Sequence, residues 1–368
     1  MAVTFLRMLA LSTILFGASV QAEAPLDIAW ERQMLPVVIE GKSYRLEALV
    51  GHIKDGARHP LLLLNHGTPR SRDEYAGVHA SQYQQQMLDF VRRGWTVATI
   101  VRRGFGRSEG QAPPPVKCDH RDYAGRAREE AEDIAAALHA LEAFPSVDSS
   151  RMVVLGQSAG GLATVALSAN PPPGVVAIVN FAGGHGSTGP DQVCEPDRLV
   201  DAYGQFGKTA RLPELWIYTQ NDHYFGPALS HRFHEAFTAG GGAADYHLLP
   251  PFEDDGHLLF SQRSGLPIWE PIVDKFLAGH GLALRPRLME LAPVAFGKSG
   301  NMSPEKKASL EDYAALPPHK ALATSPSGAY GWVAGRDAVE EARRDALKTC
   351  DKNGRDCKIA DTDGGSRP

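Results

Sequence analysis

Cysteine is scarce in this chain, four among 368 residues, and neither a C-x-x-C pair nor a close Cys/His cluster occurs, which argues against a zinc site. Positive charge is not in excess either. The 38 Lys and Arg stand against 43 Asp and Glu, a net charge of −5, so nothing requires a basic surface for nucleic acid. No phosphate loop of the G-x-x-x-x-G-K-[ST] type is present, and Gly104-Phe105-Gly106-Arg107-Ser108-Glu109-Gly110 lacks the final Gly in register of a dinucleotide fingerprint. No cofactor and no metal are therefore expected. The remaining composition, 43% hydrophobic and 22% charged, excludes a mainly disordered, collagen-like or polytopic membrane chain.

The first 22 residues carry one early charge, Arg7, then an apolar run Met8–Phe16, then the small-residue end Val20-Gln21-Ala22. That pattern reads as a secretory signal peptide over 1–22. The run is well short of the roughly 20 apolar residues that cross a bilayer, so no integral span is expected after cleavage, and the mature protein should be secreted or periplasmic. An even number of cysteines in an exported chain favours disulfides. Cys118, Cys194, Cys350 and Cys357 allow three pairings; the local one, Cys350–Cys357, leaves Cys118–Cys194 to join two loops of the larger domain.

Between residues 23 and 285 strand-like and helix-like patterns alternate. Met34–Glu40 and Tyr44–Val50 read as opening antiparallel strands. Pro60–Asn65, Trp95–Val101, Arg151–Leu155, Val175–Phe181, Leu215–Thr219 and Tyr246–Leu249 read as sheet strands. Helical patterns lie at Gln82–Arg92, Asp122–Phe144, Gly161–Ala169, Leu229–Ala239 and Ile268–Leu277. This alternation predicts an α/β fold with a mostly parallel sheet covered on both faces, its reactive loops at the carboxyl ends of the strands. Residues 286–326, rich in Pro, Ala and Lys, read as a linker or wrapped arm. Residues 327–368 read as a small α+β appendage: strand Ala329–Ala334, helix Arg336–Cys350 and strand Cys357–Asp361. So small a unit buries little core, and a Cys350–Cys357 bond would help it.

The strongest chemical signal is Gly156-Gln157-Ser158-Ala159-Gly160-Gly161, a G-x-S-x-G directly after a strand and before a helix. A tight turn there strains the backbone of Ser158 and demands small neighbours. A serine hydroxyl needs a base to take its proton. Asp222, ending the strand Leu215–Thr219 and its turn, and His257, after the last strand, follow in the order expected of acid and base. Asp254 and Asp255 are poorer candidates for the acid, being too close to His257 in sequence. His223 and His185 are poorer candidates for the base, although His185 could line the pocket. An oxyanion hole needs two backbone N–H groups. Ala159 supplies one, and Thr68 the other, since Pro69 has no N–H. His66 is expected to hold that loop.

Together these segments resemble the α/β-hydrolase superfamily over about residues 30–285. His66-Gly67-Thr68-Pro69, Arg103 to Gly110, the Ser158 segment, Asn221-Asp222 and Gly256-His257 carry the resemblance, and their flanking sequence is similar to the dienelactone hydrolase and prolyl-oligopeptidase-like branch. Ser158 stands where dienelactone hydrolases proper use Cys. The tail resembles small Cys-containing domains of exported bacterial proteins. The resemblance implies a secreted serine hydrolase acting on carboxylic esters through an acyl-enzyme, on a small-molecule or peptide ester or amide substrate. A peptidase or amidase with the same triad, and a non-catalytic envelope-binding protein on the same fold, are the alternatives. In such a fold Gly183–Leu212 would form a lid, with Tyr203, Phe206, Tyr224 and Phe225 either lining a pocket or packing. The sequence leaves the oligomeric state open.

Overall fold

The structure is a computed structural model that describes residues 26–113, 118–282, 284–285, 287–291 and 303–363. The signal peptide expected over 1–22 lies outside them. Among the described residues no helix is long and apolar enough to cross a membrane.

Eight strands form one sheet. They are β1 (Ile28–Ile39), β2 (Lys42–Ile53), β3 (His59–Asn65), β4 (Thr96–Ile100), β5 (Val147–Gln157), β6 (Val175–Phe181), β9 (Glu214–Thr219) and β10 (Ala244–Leu249). Their spatial order is β1-β2-β4-β3-β5-β6-β9-β10. The β1/β2 and β2/β4 pairs are antiparallel, and every later pair is parallel. The central strands are apolar on both sides because both faces are covered. In β3, Leu61 and Leu63 enter one core while Leu62 and Leu64 enter the other, the two-residue period of a strand. Helices α2 (Tyr123–Leu141), α3 (Ala159–Ser168), α4 (Pro196–Gly207) and α5 (Pro227–Ala239) fill the first core with Ile134, Leu138, Leu162, Phe206 and Phe237. Helices α1 (Gln84–Arg92) and α6 (Leu266–Gly279) fill the second with Met87, Phe90, Trp269 and Phe276.

Glu214, opening β9, is buried in the first core. Trp216 Nε1–H donates to it at 2.7 Å, and Ser168 Oγ lies 2.5 Å from its other oxygen and 2.8 Å from the Val165 carbonyl. A hydroxyl has one proton for two acceptors, so one of those contacts calls for a proton on the carboxyl. Burial pushes Glu214 up to about 8, with the Ser168 and Trp216 hydrogen bonds opposing. Between the pKa of an unfolded Glu and about 8 the folded chain holds a proton that the unfolded chain lacks, so this group's contribution to stability falls as pH rises through that window. Glu214→Gln removes the dependence while keeping a donor and an acceptor. Urea denaturation should show the variant gaining on the wild type by roughly 3 kcal/mol between about pH 5 and pH 8; a constant difference would contradict a neutral Glu214.

The stretch over 286–326, expected to be a linker or wrapped arm, carries a helix and a strand in the structure. Pro304–Ala315 is a helix, α7, with Ser303 Oγ accepting from Lys306 N at 3.3 Å. Ser-Pro-Glu is an N-cap, a helix-ready Pro and a first-turn acid, a start signal that the surrounding proline content obscures. Ala321–Thr324, β11, is the middle strand of a small antiparallel sheet between β12 (Tyr330–Val333) and β13 (Lys358–Thr362). Four residues are too few to show a period, so this strand could not be read from pattern. The appendage therefore begins before residue 327. Helix α8 (Val339–Asp351) covers the sheet, packing Ala342, Ala346 and Cys350 on Ala321 and Ala323, and Cys350 is bonded to Cys357. Trp30 Nε1–H donates to the Ala315 carbonyl at 2.7 Å and Ser81 Oγ to the Gly335 carbonyl at 2.5 Å, fastening the appendage to the larger unit.

Candidate active site

Ser158 sits at the carboxyl end of β5, with α3 starting at the next residue. Its backbone has φ 59° and ψ −125°, a conformation that L-residues disfavour. Its neighbours must be glycine for a reason visible in the packing. A Cβ on Gly160 would lie 2.5 Å from the Asn65 carbonyl oxygen, and one on Gly156 would lie 2.1 Å from that of Gly160. The strained turn lifts the Ser158 side chain off the sheet, and the amino end of α3 beside it favours negative charge.

Asp222 lies in the turn after β9. Its Oδ1 accepts the backbone N–H groups of Tyr224 at 2.7 Å and Phe225 at 2.9 Å, and both of its oxygens lie within 3.2 Å of His257 Nδ1. Burial alone would raise this carboxyl, but His257 and the two backbone donors outweigh it and hold Asp222 below its ordinary value. His257 occupies a short 3-10 turn, Gly256–Leu258, after β10. A Cβ on Gly256 would lie 1.8 Å from Thr219 Oγ1, so the Gly before the histidine lets the turn dock on β9. The imidazole lies against the Tyr224 ring, centroids 3.9 Å apart and planes within 14°. Its backbone carbonyl accepts from the side chain of Gln157, the residue preceding Ser158, at 2.8 Å. The turns of His257 and Ser158 are thus in direct contact, although the described residues show no hydrogen bond between Ser158 Oγ and His257 Nε2. Such bonds are often long in unliganded sites and close on binding.

A strained serine at the end of a central parallel strand, beside an Asp–His pair from two later strand ends, in this strand order, decides the architecture. The chain has the α/β-hydrolase fold.

A family described as serine aminopeptidase, S33, matches residues 76–195, a stretch that contains Ser158 and ends before Asp222 and His257. No curated protein matches the sequence. Among solved structures, an esterase of Pyrococcus furiosus is similar with TM-score 0.47 and 16% identity, over 68% of this chain and 90% of that one. Acetyl xylan esterase 1 of Thermoanaerobacterium gives 0.46 and 16%, over 70% and 88%. An acylaminoacyl peptidase of Pyrococcus horikoshii gives 0.49 and 16%, over 75% of this chain and 44% of its own.

In this α/β-hydrolase fold the loop after β3 carries Thr68 toward Ser158. Thr68, Ser158 and Ala159 border one cavity of about 20 Å³, and neither the Thr68 nor the Ala159 backbone N–H has an acceptor among the described residues. His66 holds the loop, as expected. Its Nδ1–H donates to the Gly67 carbonyl at 2.6 Å and its Nε2 accepts the Arg102 backbone N–H at 3.0 Å, which fixes the neutral tautomer. Burial, helped by the Arg102 charge, keeps His66 well below its ordinary pKa. Arg102 is the residue that sequence reasoning missed. Fully buried, it donates to the His66 carbonyl at 2.5 Å and lies 3.4 Å from Thr68 Oγ1. Its partner Glu130, 3.9 Å away, lies in the middle of α2. Nothing local to Arg102 marks it, because the brace joins segments far apart along the chain.

The other candidates make contacts of their own around the site. Asp255 caps the His257 turn, accepting from the backbone N–H of His257 at 3.0 Å and of His223 at 3.1 Å. His223 Nδ1 lies 3.1 Å from an Asp191 carboxylate oxygen. His185 lines the cavity, and burial pushes it down to about 4, so it is neutral there. The expected lid is a hairpin, β7 (Ser187–Gly189) and β8 (Gln192–Val193), followed by α4. Cys194 at its foot is bonded to Cys118. Arg70 donates to Ser187 Oγ from Nε at 3.1 Å and Nη2 at 2.8 Å, and lies over the Tyr224 ring at 3.6 Å. Of the four aromatics, Tyr224 and Phe225 border the cavity. Tyr203 and Phe206 do not: they face the core, Tyr203 stacked on Phe233 at 4.5 Å, because α4 packs its apolar face down on α5.

Proposed function

We propose that this protein is an exported serine hydrolase that cleaves carboxylic esters. Ser158 attacks the carbonyl, His257 takes its proton and returns it to the leaving alcohol, and Asp222 fixes the His257 tautomer and stabilises the imidazolium. The Ala159 and Thr68 N–H groups receive the oxyanion, and water then releases the acyl group by the same steps. One observation carries this reading: the strained Ser158 stands between two unpaired N–H groups and the turn of an Asp-bound histidine. The geometry needs no cofactor.

A small ester is the first reading because the space beside Ser158 is narrow. The cavity of about 20 Å³ is bordered by Thr68, Ala159, His185, Tyr224 and Phe225, and the hairpin beside it is fastened by Cys118–Cys194 and by Arg70. The S33 match supports a peptidase as the second reading. Rates on p-nitrophenyl acetate and on aminoacyl-p-nitroanilides separate the two: kcat/KM should favour the ester by more than about 100-fold, and preference for the anilides would establish the peptidase. Export is supported by two disulfides, which persist in oxidising compartments.

A further inference from the structure

Gln157 lies between Gly156 and Ser158 and is buried, and no step of the proposed mechanism uses it. Its amide serves two partners. Nε2–H donates to the His257 carbonyl at 2.8 Å, and Oε1 accepts the phenolic O–H of Tyr83 at 2.9 Å. Tyr83 is itself buried, and burial pushes its pKa upward, so the phenol keeps its proton and remains a donor. Each end of the amide therefore has a defined direction. The base turn is held on its other side by Asp255, which accepts the His257 N–H at 3.0 Å, and downstream by Gln86, whose Nε2–H donates to the Phe260 carbonyl at 2.7 Å.

The elbow follows β5 and the base turn follows β10, and β6 and β9 lie between them in the sheet. β5 and β10 are therefore not paired directly, and three successive ladders separate the two turns. The Gln157 amide is a direct bond between them, made by the residue next to Ser158.

We propose that Gln157 is a positioning residue for His257: its amide N–H fixes the base turn against the elbow, and Tyr83 fixes which way the amide points. This rests on the reading of Ser158 and His257 as nucleophile and base. A primary amide suits the place because one planar group offers a donor to a carbonyl and an acceptor to a hydroxyl. A carboxylate would set an acceptor against the His257 carbonyl, whereas a protonated carboxyl would restore the donor.

The test measures kcat and KM on an activated ester from about pH 5 to pH 9 for the full exported chain and for Gln157→Leu, Gln157→Glu and Tyr83→Phe, each checked for a native thermal transition. Gln157→Leu should lower kcat by about 10- to 100-fold with KM within about threefold, since geometry rather than ground-state binding is lost. Gln157→Glu should be active toward acid and lose activity as the introduced carboxyl ionises, giving an alkaline limb that the wild type lacks. Tyr83→Phe, which leaves the amide in place without its guide, should lower kcat by a smaller factor. A folded Gln157→Leu with wild-type kcat, or a Gln157→Glu with the wild-type pH profile, overturns the positioning role. A wild-type chain that neither hydrolyses esters nor labels at Ser158 overturns the underlying reading, and the tether falls with it.

Discussion

Ser158→Ala is expected to lower kcat on an activated ester by about a million-fold, the scale seen when the nucleophile of a serine triad is removed. Its folding should be almost unchanged. The side chain is small, and alanine meets the same backbone restriction at φ 59° that serine does. Ser158→Gly separates the two effects. Glycine adopts such a backbone freely, so this variant should be as inactive as the alanine variant yet more stable, by about 1 kcal/mol. A chemical-denaturation series with both variants reads the strain held at the elbow. Equal stability of Gly and Ala at this position would mean that the turn stores none.

Asp222→Asn is expected to lower kcat by about 10,000-fold with little change in KM, through the tautomer of His257 rather than through lost charge alone. Asp222 accepts three N–H groups, from Tyr224, Phe225 and His257. Asparagine has one oxygen, and two backbone donors fixed by the turn will claim it. Its NH₂ then faces Nδ1 of His257, which must become an acceptor and shift its proton to Nε2. In that form the ring has no lone pair for the Ser158 proton. Because a neutral amide suits the backbone donors, the variant should fold, and kcat/KM should show the loss. Near-wild-type activity would remove Asp222 from the mechanism.

How much of this was legible in the sequence follows from how local each feature is. The elbow is contiguous, so Gly156, Ser158 and Gly160 announce it, and the structure shows why a Cβ on either glycine would collide with backbone. Strands β3, β5, β6 and β9 were legible because their buried stretches, such as Leu61–Leu64 and Met152–Leu155, are apolar runs. The brace of Arg102 on His66 and the tether of Gln157 on His257 were not, since each links residues 36 and 100 positions apart through single hydrogen bonds. The aromatics expected to line a pocket or pack show the same limit from the other side. Tyr203 and Tyr224 look alike in sequence, and only the docking of α4 on α5 sends one into the core and leaves the other beside the imidazole. Helix α7 was hidden by its surroundings: a good start signal sits in a stretch whose proline content reads as a connection.

The account stands on His257 making Ser158 reactive, and reaction with a fluorophosphonate, followed by peptide mass mapping, tests that most directly. The folded wild-type chain should take up one adduct, on Ser158, and His257→Ala should label at least about 1,000-fold more slowly. A folded wild-type protein that forms no Ser158 adduct, or an alanine variant at 257 that labels as fast as the wild type, would contradict it.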